Sequence, residues 1–256
     1  MKNAAYRFAE QAIAKRVSVI GAVSEFEAEQ ARTTAPRARI AVVPNGIAEL
    51  DNPDEDAPDR PREPMVVVVG RIGQQRNPEG TARILAQVRD VARAVWIGAE
   101  PSPGRASEVL RAAGVEITGW LSHRATTEVM RRAMAVLHWS AWEGQSLALL
   151  EALAASVPVV ASDIGPNREV LGAEQVFSSE ADAARALRAL VCEDRTRARY
   201  LRNQNQRRGF YSARRMSSEW IGLYRALADA THEPLIPLTR QGSGGPGEES
   251  LTRHSS

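Results

Sequence analysis

Short apolar runs alternate with stretches of helical periodicity over most of this chain. The runs are MVVVVGR at 65–71, AVWIGA at 94–99, VEITGW at 115–120, AVLHWS at 135–140 and PVVAS at 158–162. EQVFS at 174–178 can supply a sixth. Each is too short to be a buried helix and apolar enough to be a strand covered on both faces. Amphipathic segments at about 79–91, 105–113, 124–134 and 146–156 separate them, and two or three more helices follow out to about 230. Such alternation specifies an α/β fold: a Rossmann-like parallel sheet with helices on both faces. Right-handed crossovers then put a ligand at the carboxyl ends of the strands.

The first 64 residues follow a different pattern. Residues 2–16 read as a helix with Tyr6, Phe8, Ala9, Ala12 and Ile13 on its apolar side, and VSVIGAVS at 17–24 as a strand. Ser24 can cap the next helix, with Glu27 at the capping-box position. RIAVVPNGI at 39–47 reads as a second strand stopped by Pro-Asn-Gly. Residues 49–64 hold seven acids, two Arg and four Pro, the composition of a solvated linker. The tail at 233–256 is rich in Pro, Gly and Ser and reads as disordered. The expected division is therefore 1–48, a linker at 49–64, one domain at 65–232, and the tail.

Composition narrows the class. The 256 residues are 43% hydrophobic and 25% charged, which excludes a mainly disordered chain, a collagen and a disulfide scaffold. The single cysteine, Cys192, fits a reducing compartment. A net charge of +2 does not point to nucleic acid. The longest apolar stretch, at 146–161, is broken by Glu151 and Pro158, so no membrane span is expected. The amino terminus has no apolar core of a secretory signal. A cytoplasmic location is expected, peripheral to a membrane at most.

Chemistry concentrates at 138–171. A strand delivers the chain into Glu143-Gly144-Gln145-Ser146, expected to open a helix whose free N–H groups suit an anion or polar oxygens. Glu151 lies further along the segment, about 12 Å from Glu143 if one helix carries both. Its neighbours in LALLEALAA are apolar, so its carboxylate needs a hydrogen-bonding partner. Only two of the 33 basic residues are Lys, at positions 2 and 15, so a cation for phosphate beyond them is Arg or His. Arg71 and Arg76 follow the first strand of the alternating region, at the correct end of a parallel sheet.

These segments together resemble the retaining glycosyltransferases of family 4. EGQSLALLE at 143–151 matches the family's E-x7-E signature, and PVVASD follows it. VVVVGRIGQQRNPE looks like the family's phosphate segment, VVPNGI like its hinge-proximal Pro-Asn-Gly, and SVIGAVSEFE like the close of its first domain. The likeness spans about 1–230. It implies a GT-B fold whose carboxyl-terminal donor-binding half is 65–232, with 1–48 a remnant of the acceptor domain.

The resemblance also implies roles. Arg71 and Arg76 would stabilise a leaving nucleotide diphosphate without a metal or other cofactor, and Glu143 would hold the donor sugar. Glu151 would take the ribose, and Trp120 would border the base. Gly70, Gly144, Gln145, Ser146 and Leu147 complete the donor site. The ligands expected are a nucleotide-diphosphate sugar and an unknown acceptor. The family's usual Lys is Arg76 here, its usual Gly is Ser156, and its usual Pro is Trp139.

Other readings compete. Glu100 after the second strand suits a nicotinamide-binding Rossmann enzyme, but Gly70-Arg-Ile-Gly73 is not the required glycine pattern. Gly144-Gln-Ser146-Leu-Ala148 approaches a hydrolase elbow, yet the nearest downstream His is His232. A glycoside hydrolase needs its carboxyls closer together. Asp54-Glu55-Asp56 has metal-binding spacing inside a linker, and His138 on an apolar strand reads as structural. A non-enzyme reading is a donor-binding subunit that transfers nothing alone. Tyr6, Phe8, Ile13, Val17 and Val19 would then form an exposed apolar surface for a partner subunit or self-association through residues 2–24.

Overall fold

The computed structural model describes residues 12–14, 17–48, 61–102 and 104–229. Two sheets organise them. The smaller pairs β1 (Ile20–Ala22) with β2 (Ile40–Val42) in parallel. Between them runs α1 (Glu25–Thr34), whose first turn is closed by Ser24 Oγ accepting from the Glu27 N–H at 3.1 Å. The two strands are shorter than the apolar runs at 17–24 and 39–47. Of the helix expected at 2–16, residues 12–14 are helical; Tyr6 and Phe8 lie outside the described residues.

The larger sheet holds the alternating region. Its elements are β3 (Glu63–Val69), α2 (Pro78–Ala86), β4 (Arg93–Ile97), α3 (Arg105–Ala112) and β5 (Val115–Gly119). They continue as α4 (His123–Arg132), β6 (Ala133–His138), α5 (Leu147–Ala154) and β7 (Val159–Ser162). The last are α6 (Gly165–Leu171), β8 (Val176–Phe177), α7 (Glu180–Cys192), α8 (Asp194–Arg208) and α9 (Ala213–Asp229). Glu63 and Pro64, expected in the linker, instead open β3; the register irregularity beside them accommodates a residue without an N–H. The helix α6 lies between the runs at 158–162 and 174–178, where no element was expected. Pro166 sits in its first turn, where the missing N–H costs nothing.

All six strands are parallel, in the order β5-β4-β3-β6-β7-β8. The order reverses between β3 and β6, so the loops leaving these two strands diverge from a shared crevice. Both faces of the sheet are buried. One core gathers Val66, Val68, Trp96, Leu137, Trp139 and Leu187; the other gathers Met65, Val67, Val136, Leu149, Leu153 and Val159. This is why the β3 run MVVVV is apolar at consecutive positions rather than alternating.

Ser156 explains one departure from the resembled pattern. Its φ is +54°, a left-handed conformation that glycine adopts freely. Two arginines hold it there: Arg62 donates to its carbonyl at 2.7 Å and Arg208 to its hydroxyl at 3.1 Å.

The small sheet is sewn to the large one. Glu169 of α6 accepts from the N–H groups of Glu25 and Phe26 at 2.9 and 2.7 Å, capping α1 from across the molecule. Ile47 bridges Ser212, and Trp220 of α9 lies under Gly21, where a Cβ would meet its ring at 2.6 Å. On the other side, Ile13 is 63% exposed and Val17 is 42% exposed. They line a groove of about 570 Å³ with Ile20, Ala31 and Ala35. Val19 is only partly exposed.

Candidate active site

The crevice between β3 and β6 is built by two loops. The loop after β3 starts at Gly70, with φ +133°, and runs through a short 3-10 turn, Gln74–Arg76. Gly70 is needed as glycine: a Cβ there would sit 2.7 Å from Arg76 Nε. Its carbonyl is fixed by the indole N–H of the fully buried Trp96 at 2.8 Å. The loop after β6 is tied to the first by the Ala141 N–H donating to Gln75 O at 2.8 Å, and by Gln75 Nε2 donating to Trp142 O at 3.2 Å.

The side chains of Arg76 and Glu143 meet where the loops converge. Arg76 Nη1 is ion-paired with Glu143 Oε1, and their side chains are only 15% and 6% exposed. Arg76 Nη1 also donates to Ser140 Oγ at 2.7 Å, and Gln75 Nε2 donates to Glu143 Oε2 at 3.1 Å. Burial draws the Arg76 pKa down to about 10, which leaves it charged at neutral pH. His138, the last residue of β6, reaches the same point: its Nε2 lies 3.2 Å from Glu143 Oε1, Arg76 Nη1 and Ser140 Oγ alike. Burial, and then the charge of Arg76, holds this imidazole well below the usual 6.5, hence neutral. Ser140 is anchored in turn. Its N–H donates to Ser162 Oγ at 3.1 Å, and Ser162 takes a further bond from the buried Asn167 at 3.2 Å.

The remaining expected site residues are arranged differently from one another. Glu143 is not on the helix. Ser146 is the cap residue and α5 begins at Leu147, so the helical spacing of about 12 Å does not apply. The Gln75 bonds hold Glu143 in the loop instead. Glu151 is half-buried in α5, and the partner its apolar surroundings required is near: His123 Nδ1 at the start of α4 lies 3.6 Å from Glu151 Oε1. Gln145 is buried, with its carbonyl oxygen accepting from the Asn45 N–H at 2.6 Å. Gly144 abuts Glu27 of α1; a Cβ there would fall 2.3 Å from Glu27 Oε1. Ser146 Oγ is buried with no hydrogen-bond partner, beside the free N–H groups that start α5. Leu147 and Trp120 are exposed, Trp120 at 66%. Arg71 is exposed at the mouth of the loop.

Sequence reasoning missed His138, Gln75 and Ser140. His138 interrupts an otherwise apolar strand at its carboxyl end, and that position was the available signal. The rival sites do not assemble. Glu100 is committed to the start of α3, accepting from Ser107 Oγ at 2.8 Å and the Gly104 N–H at 3.1 Å. No histidine bond to Ser146 is formed among the described residues, and His232 and Asp54–Asp56 lie outside them. No described helix is long and apolar enough to cross a membrane.

The Arg76–Glu143 pair thus lies at the strand-order reversal, where open α/β sheets bind their ligands. Residues 52–208 match the family Glycosyl transferases group 1, and the chain belongs to that family. It is 32% identical over 162 residues to alpha-maltose-1-phosphate synthase of Mycobacterium tuberculosis, covering 55% of this chain and 42% of that one. Among solved structures, sucrose-phosphate synthase of Thermosynechococcus elongatus superposes with a TM-score of 0.77 at 19% identity, over 90% of this chain and 63% of the other. The pneumococcal O-GlcNAc transferase GtfA, solved with UDP and GlcNAc, gives 0.66 at 11% identity over 88% and 48%. The chain thus spans less than half of that curated relative, and its fold is that of GT-B glycosyltransferases.

Proposed function

We propose that this chain is the donor-binding part of a retaining glycosyltransferase that moves a sugar from a nucleotide diphosphate to an acceptor. The observation that carries the reading is the Arg76–Glu143 pair at the strand-order reversal, inside a chain that belongs to this family. Arg76 and Arg71 face the diphosphate and stabilise the charge that grows on it as the glycosidic bond breaks. Glu143 holds hydroxyls of the sugar. The free N–H groups of α5 and the partnerless Ser146 Oγ offer further donors to sugar or phosphate oxygens. Glu151 takes the ribose hydroxyls, with His123 beside it, and the exposed Trp120 offers a face to the base. Gly70 and Gly144 keep the two loops close to the ligand, and Gln145 fixes the second loop to residue 45. Arg76 stays charged at neutral pH, so leaving-group stabilisation needs no proton transfer from it.

A second reading is favoured by the groove beside Ile13 and Val17. Transfer requires an acceptor held about 3 to 3.5 Å from the reacting carbon. The exposed apolar side chains of Ile13 and Val17 in this groove suit a further wall, supplied by more of the same polypeptide or by a partner. In that case these 256 residues bind donor and transfer little alone.

Calorimetry against UDP-, GDP-, ADP- and TDP-sugars, with EDTA present, tests the primary reading. One nucleotide diphosphate should bind. Changing Arg71 and Arg76 together to Ala should weaken it at least tenfold, about 1.4 kcal/mol or more. Unchanged affinity in a folded double variant would remove both arginines from the site.

A further inference from the structure

His138, 2% exposed at the end of an apolar strand, is a buried titratable group beside the Arg76–Glu143 pair that the proposed chemistry leaves unused. A hydrophobic residue would continue the pattern AMAVL without the desolvation cost of an imidazole. The cost is met by polar contacts concentrated on one atom. Nε2 lies 3.2 Å from Glu143 Oε1, Ser140 Oγ and Arg76 Nη1; because a guanidinium only donates, a proton on Nε2 bonds to Glu143 or Ser140, whereas a bare Nε2 accepts from Arg76.

The arrangement poses a problem for donor binding. Arg76 Nη1 is engaged with Glu143, yet a diphosphate entering the crevice competes for the same guanidinium. As Arg76 turns to phosphate, Glu143 loses its cation while remaining almost wholly buried. A carboxylate left so would be costly, and free to swing out of register with the sugar. Two donors stay behind to prevent this. Gln75 Nε2 is 3.1 Å from Oε2, and His138 Nε2 is beside Oε1, one on each oxygen. The imidazole is neutral, so it can steady the carboxylate without replacing the arginine's charge or repelling it.

We propose that His138 is a positioning residue, its Nε2–H donating to Glu143 Oε1 and keeping that carboxylate aimed at the donor sugar while Arg76 serves the diphosphate. The proposal rests on the reading of Glu143 as the sugar-holding acid. His138 itself touches no substrate. Its Nε2 also lies 3.2 Å from Ser140 Oγ, and Ser140 is anchored by Ser162 of the neighbouring strand β7, which Asn167 of α6 holds in turn.

The test compares His138→Leu, His138→Gln and Glu143→Gln in the full chain, titrated with UDP and UDP-glucose and with ADP and ADP-glucose. His138→Leu should bind the free nucleotide within twofold of wild type and the nucleotide sugar at least fivefold more weakly. His138→Gln, whose amide nitrogen can take the place of Nε2, should restore the sugar-bearing ligand to within twofold. Equal loss of both ligands, no loss of either, or failure of Gln to rescue would overturn the positioning role. Glu143→Gln separates the two ideas: if it leaves the sugar-bearing ligand unaffected, the assignment of Glu143 fails first. Nitrogen-15 NMR of the wild-type imidazole keeps the proposal testable should His138→Leu not fold, or should no pair bind. Nε2 should carry the proton in the free chain and after nucleotide sugar is added. A proton on Nδ1 alone would contradict it.

Discussion

The two sheets of this protein solve opposite problems. The six-stranded sheet buries both faces and directs two loops to one point, where Arg76, Glu143, His138 and Ser140 hold one another. The two-stranded sheet has little core of its own, and Ala28 is the one buried residue of α1. It is held by the cap from Glu169 and the packing of Trp220 on Gly21. A scaffold that fixes a charged constellation needs a rigid base, whereas a region that leans on its neighbours can present a surface. The difference lies in burial, because a two-stranded unit cannot cover itself.

The comparison breaks most readily at Trp96. Its ring is wholly buried and its N–H fixes the Gly70 carbonyl, so Trp96→Ala should cost about 3 to 5 kcal/mol in denaturant unfolding. A loss below about 1 kcal/mol would mean that the large sheet is not the rigid base described. Glu169→Gln probes the seam instead. It weakens a charged cap on α1 and should cost about 1 kcal/mol. Amide exchange should speed up in residues 20–42 and stay slow in β3, β4 and β6. Equal acceleration everywhere would show that the two regions unfold as one unit.

How far the sequence disclosed this follows the same division. Strands buried on both faces are apolar at every position, so β3, β4 and β6 were plain. The helix expected at about 146–156 is α5, capped by Ser146, with Glu143 in the loop before it, whereas α6 had no expectation behind it because Pro166 stands in its first turn. Arg76 and Glu143 were each legible from their place after a strand. That they pair with each other, 67 positions apart, was not, since the strand order that joins their loops is a property of the whole sheet. Ser156 showed as a departure from a pattern; its left-handed backbone and the two arginines around it required the fold.

In the proposed function the two acids divide one donor, Glu143 taking the sugar and Glu151 the nucleoside. Calorimetry of Glu143→Gln and Glu151→Gln with free nucleotide diphosphate and with its sugar-bearing form tests this most directly. Glu143→Gln should spare the nucleotide within twofold and weaken the nucleotide sugar at least tenfold, about 1.4 kcal/mol. Glu151→Gln should weaken both ligands alike, because both carry the ribose. Wild-type affinity of both folded variants for both ligands would contradict the claim.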